Sequence, residues 1–426
     1  MNFKSAFLFF ITLFLSFCLQ AQLTDTVYKS SIATPQLTMS GNNVALPVYN
    51  LNSGDRLMLG FDDLEADVKS YYYTYQLCDY NWMPVDLNPF DYIKGFTQNR
   101  ISNYRYSSIA LTAYTHYQAI LPEKNSTPFK SGNYILKVFL DGDTSKLVFT
   151  KRMLVVDQKA TISASVVQPF TPSLFSTSQR LKFSVVLKGI NSFSAAQQVK
   201  VVILQNNRWD NFQKDIVPTF VRGNSLEYNS ENVGVFAGGK EWRWVDLRSF
   251  RLQSDRIDSG YYGKNKTDLW VKTDVDRTNH RYYYFADYNG GYNIITYESI
   301  NPQWQGDYAT VYFSLEAPGG LPYPTKDVYI AGKFTDFNLN ERWKMKYNNL
   351  TGKYENSAFM KQGYYNYEYI TYDKLTKTFG NLEGNYWETE NQYTILVYYK
   401  SFTDRNDQLI GSAQISSRTD KPGFSF

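Results

Sequence analysis

Cysteine and histidine are scarce in this chain, with two of each in 426 residues, and neither pair supports the chemistry those residues usually bring. Cys18 lies in the N-terminal apolar stretch, which leaves Cys78 alone in the remainder, so no intrachain disulfide can form. His116 and His280 are far apart, and no HExxH, GxSxG or phosphate-loop spacing occurs. A cysteine and two scattered histidines make no zinc site, and Cys78, set inside a strand beside Leu77, reads as a buried structural thiol rather than a nucleophile. Blocks of one charge are also missing. The formal net charge is +4 and no run of Lys or Arg appears, which argues against nucleic acid and anionic membrane as partners. Past the N-terminus there is no apolar run of the roughly 20 residues that a membrane-spanning helix needs. No cofactor site, metal site or catalytic constellation is expected, and the chain reads as a protein other than an enzyme.

The N-terminus itself is informative. Lys4 precedes an apolar stretch from Ala6 to Cys18, followed by Leu19, Gln20 and Ala21, the pattern of a secretory signal peptide over residues 1–21 with the mature chain starting at Gln22. A lipid anchor on Cys18 is the rival reading, disfavoured by Phe17 where a small residue belongs. The expected product is exported and is not itself inserted in a membrane.

What the chain has in abundance is aromatic residues, 37 Tyr and 29 Phe, and these favour strands. Nearly every apolar segment alternates with period two or is a short run bounded by turn residues, and no long amphipathic helix appears. In SYYYTYQLCDY, Tyr71, Tyr73, Tyr75 and Leu77 share one face. Asp141–Gly142–Asp143 closes a hairpin, and a second is expected where Asn289–Gly290–Gly291 joins RYYYFADY to YNIITY. VKVVILQ, apolar on both faces, is expected to be a central strand. Ala309, Val311, Phe313 and Leu315 alternate against Thr310, Tyr312, Ser314 and Glu316. The reading is an all-β chain of three consecutive immunoglobulin-like or fibronectin-like β-sandwich units, over residues 22–158, 159–303 and 304–426, with YTILVYY as the last strand of the third.

Carboxylate clusters open two further possibilities. Asp62, Asp63, Glu65 and Asp67, or Asp274 with Asp276, could bind calcium or supply the two acids of a glycosidase, although neither cluster has EF-hand spacing. Solvated loop carboxylates are the plainer reading. In the third unit, KQGYYNYEYITYD places Tyr365, Tyr367 and Tyr369 on one side of a strand, as core or as a sugar-stacking platform, and core is favoured. The surrounding DVYIAGKFTDFN and KMKYNNLTGKYE resemble the starch and glycogen binding module of the early-set immunoglobulin-like group, with Phe337 where that module has a stacking tryptophan. This implies an alternative function, a periplasmic or surface carbohydrate-binding protein using Phe337.

Several stretches in order, YYYTYQLCDYNWMPVDLNPFDYIKGF, YTHYQAILP, SGNYILKVF, VVILQNNRWDN, FVRGNSLEYN and EWRWVDLRSFRLQS, resemble the type IX secretion system plug protein family. The resemblance runs from about Leu51 to Tyr399. It implies a periplasmic, all-β protein without catalytic residues. Such a protein reversibly closes the inner end of the large outer-membrane translocon barrel, its partner, and is monomeric apart from that complex. Trp and Arg dominate interface energetics, so Trp82, Trp209, Arg222, Trp242 and Trp244 are the candidate partner-binding residues.

Overall fold

The computed structural model describes residues 25–190 and 194–419, so the signal-peptide expectation for residues 1–21 lies outside the described residues. The described chain is nearly all β, with helix confined to single turns such as Ala195–Gln198 and Pro302–Gln305. Its strands form sandwich units around three main cores.

In the first unit Gly132–Leu140 lies between Leu147–Val156 and Tyr71–Cys78. Leu57–Asp63 lies between Ile32–Met39 and Thr115–Leu121 in the facing sheet. Tyr71, Tyr73, Tyr75 and Leu77 all enter the core between them, as their alternation predicts. The hairpin at Asp141 and Gly142 forms with both residues at positive φ.

The middle unit pairs Ala160–Val167 with Ser178–Leu187 and continues through Ser225–Tyr228 and Phe220–Arg222. Its facing sheet is Val199–Gln205, Gln392–Tyr399 and Gln408–Ser416. The last two of these strands come from the end of the chain, so YTILVYY closes the middle sandwich rather than the third. Tyr393, Ile395 and Val397 face Val201 and Ile203 in that core, and this burial selects the pairing. Val199–Gln205 is buried on both faces without being central: in its sheet it pairs with Gln392–Tyr399 alone, apart from a bridge at Gln213. Its second apolar face, Val202 and Leu204, packs on the first unit.

The third unit is thereby inserted into the middle one. It begins at Arg243–Asp246, which pairs with Tyr364–Asp373, and includes Ile257–Tyr262 and Thr267–Val271, so the boundary expected at 303 falls about sixty residues earlier. The chain's exit and return run side by side at Gly238, where a Cβ would stand 2.1 Å from the Tyr386 carbonyl oxygen. The five-stranded sheet Ile257–Tyr262, Thr267–Val271, Tyr308–Glu316, Lys353–Lys361, Lys346–Asn348 covers a second layer built on Tyr364–Asp373. Ala309, Val311, Phe313 and Leu315 point into this core from one side, and Tyr365, Tyr367 and Tyr369 from the other. The hairpin expected around Asn289 is only half present. The turn has positive φ at Asn289 and Gly290, but residues 281–288 form no strand, and Tyr292–Asn293 pairs instead with Tyr364–Asp373. Tyr292 stacks on Tyr365 at 5.2 Å, so attachment to the existing core outweighs local pairing.

Candidate partner interface

Three of the four sequence-based tryptophan candidates, Trp82, Trp209 and Trp242, serve the joints between units. Trp82, 2% exposed, meets Trp209 edge to face at 4.9 Å, and the Arg152 guanidinium lies 5.2 Å and 5.5 Å from the two rings. Around them Leu46, Ile135 and Leu154 of the first unit pack on Val202, Leu204 and Leu396 of the middle unit. Each such burial is worth roughly 1.5–3 kcal/mol, more than any single hydrogen bond of the joint at about 1 kcal/mol, such as that from Tyr398 Oη to Asn133 Oδ1 at 2.8 Å. Cys78 belongs to this joint, and burial pushes its thiol up to about 12.

Between the middle and third units, Trp242 packs on Phe337, with Arg208 4.8 Å above the Phe337 ring and ion-paired to Glu368. Phe337 is 7% exposed. It lacks the open ring face that the glycan-stacking reading requires, because the middle unit supplies Arg208 and Trp242 against it. Trp244 is half-buried against Phe285 at 5.0 Å. Trp82 and Trp242 are thus interior residues and cannot meet an outside partner while the units stay packed. Arg222 alone of the five is exposed, on a hairpin with exposed Phe220 and Val221.

Of the clustered carboxylates, Asp62, Asp63 and Asp274 are buried, whereas Glu65, Asp67 and Asp276 are exposed. Asp62 is buried between the first and third units, where it accepts from Lys361 Nζ at 2.5 Å and Tyr308 Oη at 2.6 Å, and lies 2.7 Å from His116 Nδ1. Burial works to raise the Asp62 pKa, but the Lys361 ammonium and the hydrogen bond with His116 hold it below the usual carboxylate range, and burial pushes Lys361 down. Asp63, Glu65 and Asp67 converge, but the Lys69 ammonium sits among all three and takes the place a cation would need. Asp274 accepts from Arg243 and Arg256, at 2.7 Å and 2.6 Å, and from Tyr367 and Tyr369 inside the third core. The buried acids Asp62 and Asp274 tie elements together through these contacts. His116 and His280 belong to different units, and His280 is exposed.

What remains open to a partner is aromatic surface that alternation did not mark. In the first unit a two-stranded ribbon, Ile93–Gly95 with Ser126–Pro128, is flanked by Phe90, Phe96 and Phe129, exposed at 69%, 64% and 45%. Three exposed phenylalanines on one short ribbon are unusual for a surface without a partner. Phe90 follows Asn88, whose side chain accepts from its backbone N–H and caps the turn Pro89–Asp91, so the ring is presented by an ordered element. In the third unit Arg248, held by Asp246, lies 4.6 Å from the Tyr297 ring and 5.4 Å from Tyr364, and Tyr288 packs edgewise on Tyr364. Tyr364 is the outward neighbour of the core tyrosines, and that position on the strand was the available clue. The phenylalanines carried a weaker one, lying among turn residues outside any alternating run.

Residues 32–157 match the model of the type 9 secretion system plug protein 1st domain. Among solved structures, a hypothetical protein from Parabacteroides merdae ATCC 43184 is similar at 28% identity with a TM-score of 0.89, over 93% of this chain and 100% of that one. A trypsin-activated alpha-2-macroglobulin from Escherichia coli aligns over 90% of this chain and 27% of that one at 8% identity and a TM-score of 0.17, which bears on neither fold nor function. No curated protein matches. The matched residues coincide with the first sandwich unit and contain the phenylalanine ribbon, and this unit belongs to the type 9 secretion system plug protein 1st domain family.

Proposed function

We propose that this protein is a periplasmic plug that reversibly closes the inner end of the large outer-membrane barrel of the type 9 secretion system. The observation that carries the reading is the match of the whole first unit to a plug domain. The architecture supports it. A body that blocks a wide lumen must not flex open, and here buried ionic and aromatic joints connect the first unit to the middle one, the first to the third, and the middle to the third. A reversible contact calls for a limited apolar centre with polar surroundings, which the Phe90, Phe96 and Phe129 ribbon provides. The role proposed is structural: Asp62 with Lys361 ties the first unit to the third, and Arg208 with Glu368 ties the middle unit to the third.

The test is deletion of the gene, with uptake of large, normally excluded antibiotics as readout. The expected outcome is leakage that disappears when the barrel is removed as well, with secretion at least partly preserved. Phe96→Asp with Phe129→Asp in the otherwise intact protein is expected to leak too, while folding normally. Unchanged permeability after deletion, or a leak that persists without the barrel, overturns the plug reading.

A further inference from the structure

The outer face of the third unit's five-stranded sheet carries a feature that closing a pore does not use. Register places Ser259, Trp270, Tyr312 and Ser357 in one row across four adjacent strands. The row belongs to the outward face, because Leu269, Val271, Val311 and Phe313 fill the core beneath it. Trp270 and Tyr312 stack nearly parallel, 5.0 Å between centroids at 7°. That distance is close to the spacing of about 4.8 Å between neighbouring strands, so the rings stand upright on the sheet, side by side. Each then turns its other face outward along the row, the indole over Ser259 and the phenol over Ser357. Both neighbours are too small to cover a ring. Trp270 stays 38% exposed although a sandwich with a free aromatic of this size could have buried it at lower cost.

The slot beside Tyr312 has built walls. The pair lies within a groove of about 1190 Å³ whose far side is Lys346 and the turn at Asn348–Thr351. That turn is tied down: Asn348 Nδ2 donates to Glu355 Oε2 at 3.0 Å and Thr351 Oγ1 to Glu355 Oε1 at 2.8 Å. On the floor, Lys353 Nζ and Ser314 Oγ each donate to Thr273 Oγ1 at 3.0 Å, which fixes a short polar array next to the rings. The lining charges are of both signs and close to balance, Lys272, Lys346 and Lys353 against Asp258 and Glu355, so the groove has no strong preference for an anion or a cation. A flat ring face bordered by hydroxyls and amides, with no charge demand, matches one ligand chemistry well. A pyranose offers an apolar face of C–H groups for the ring and equatorial hydroxyls for the polar rim.

We propose that this groove binds a neutral oligosaccharide of hexopyranose units, one sugar stacking on the outer face of Tyr312 above Ser357 and another on the outer face of Trp270 above Ser259. The site is on the opposite layer from Phe337, which belongs to the joint with the middle unit. It is independent of the plug reading, and either can fail alone.

The experiment is saturation-transfer NMR and calorimetry on the full mature chain, with chitohexaose and maltoheptaose as separate probes. The two arms distinguish a β-linked amino-sugar chain from an α-glucan. Binding of at least one probe is expected. Trp270→Ala and Tyr312→Ala should each weaken it about tenfold, the loss expected for one stacked ring. Ser357→Gln keeps both rings and fills one slot, so it should also weaken binding while leaving the fold and melting temperature unchanged; it decides the matter if an alanine variant folds poorly. No binding of either probe at millimolar concentration, or binding that survives Ser357→Gln and both alanine substitutions, overturns the proposal.

Discussion

Replacing Asp62 by asparagine removes one charge from the joint between the first and third units while keeping the side chain's shape. No cavity opens, so the cost is electrostatic. Lys361 is as buried as Asp62 itself, and its remaining partners are the Gln303 carbonyl at 2.5 Å and the Tyr114 and Tyr308 rings, 4.2 Å and 5.5 Å away. Leaving a buried ammonium without its counter-ion costs about 3–5 kcal/mol. The cost has a ceiling, because burial already lowers the Lys361 pKa and an ammonium deprived of its counter-ion can lose its proton instead of staying charged. We therefore expect about 3 kcal/mol for Asp62→Asn. Asp62→Leu combined with Lys361→Met should cost at least 2 kcal/mol less than the sum of the two single changes, because it removes both charges together. A chain of three packed units need not unfold in a single step. The informative readout is therefore hydrogen exchange of the strands Thr115–Leu121 and Tyr308–Glu316, on the two sides of this joint, across a urea series. A shift below about 1 kcal/mol for Asp62→Asn, or strict additivity in the double variant, would refute the claim that this ion pair holds the two units together.

Glu241 supplies a pH-dependent counterpart. Burial raises its pKa to about 7, against an ordinary 4.5, although a hydrogen bond from Tyr282 Oη at 2.6 Å opposes the shift. The folded chain therefore binds more protons than the unfolded chain between those values, and stability falls as pH rises through that window. Glu241→Gln is expected to raise stability at pH 8 by up to about 3 kcal/mol and to flatten the decline, as read from urea midpoints across pH; an unchanged profile would contradict it. Cys78, buried in the joint with a thiol near 12, should resist labelling in the native protein and react on unfolding, and rapid native labelling would show that this joint opens.

Facing within a strand was legible in the residues because it is local. A period of two assigned Tyr71, Tyr73 and Tyr75, Tyr365, Tyr367 and Tyr369, and Ala309 through Leu315 to their cores, and the turn chemistry of Asp141 and Gly142 located a hairpin. The all-β class followed from the same signals. Which strand pairs with which was not legible, because pairing is decided by contacts remote in sequence. YTILVYY alternates equally well for either sandwich, and only the fit of Tyr393, Ile395 and Val397 against Val201 and Ile203 sends it back across the inserted third unit. Two-sided apolarity in VKVVILQ marked burial correctly, yet could not distinguish a central strand from one between a core and a joint. The same limit applied to the site residues. A tryptophan in a polar context reads alike whether it meets a partner protein or another unit of its own chain, and the packing of three units turned Trp82 and Trp242 inward while leaving Phe90, Phe96, Phe129 and Trp270 at the surface.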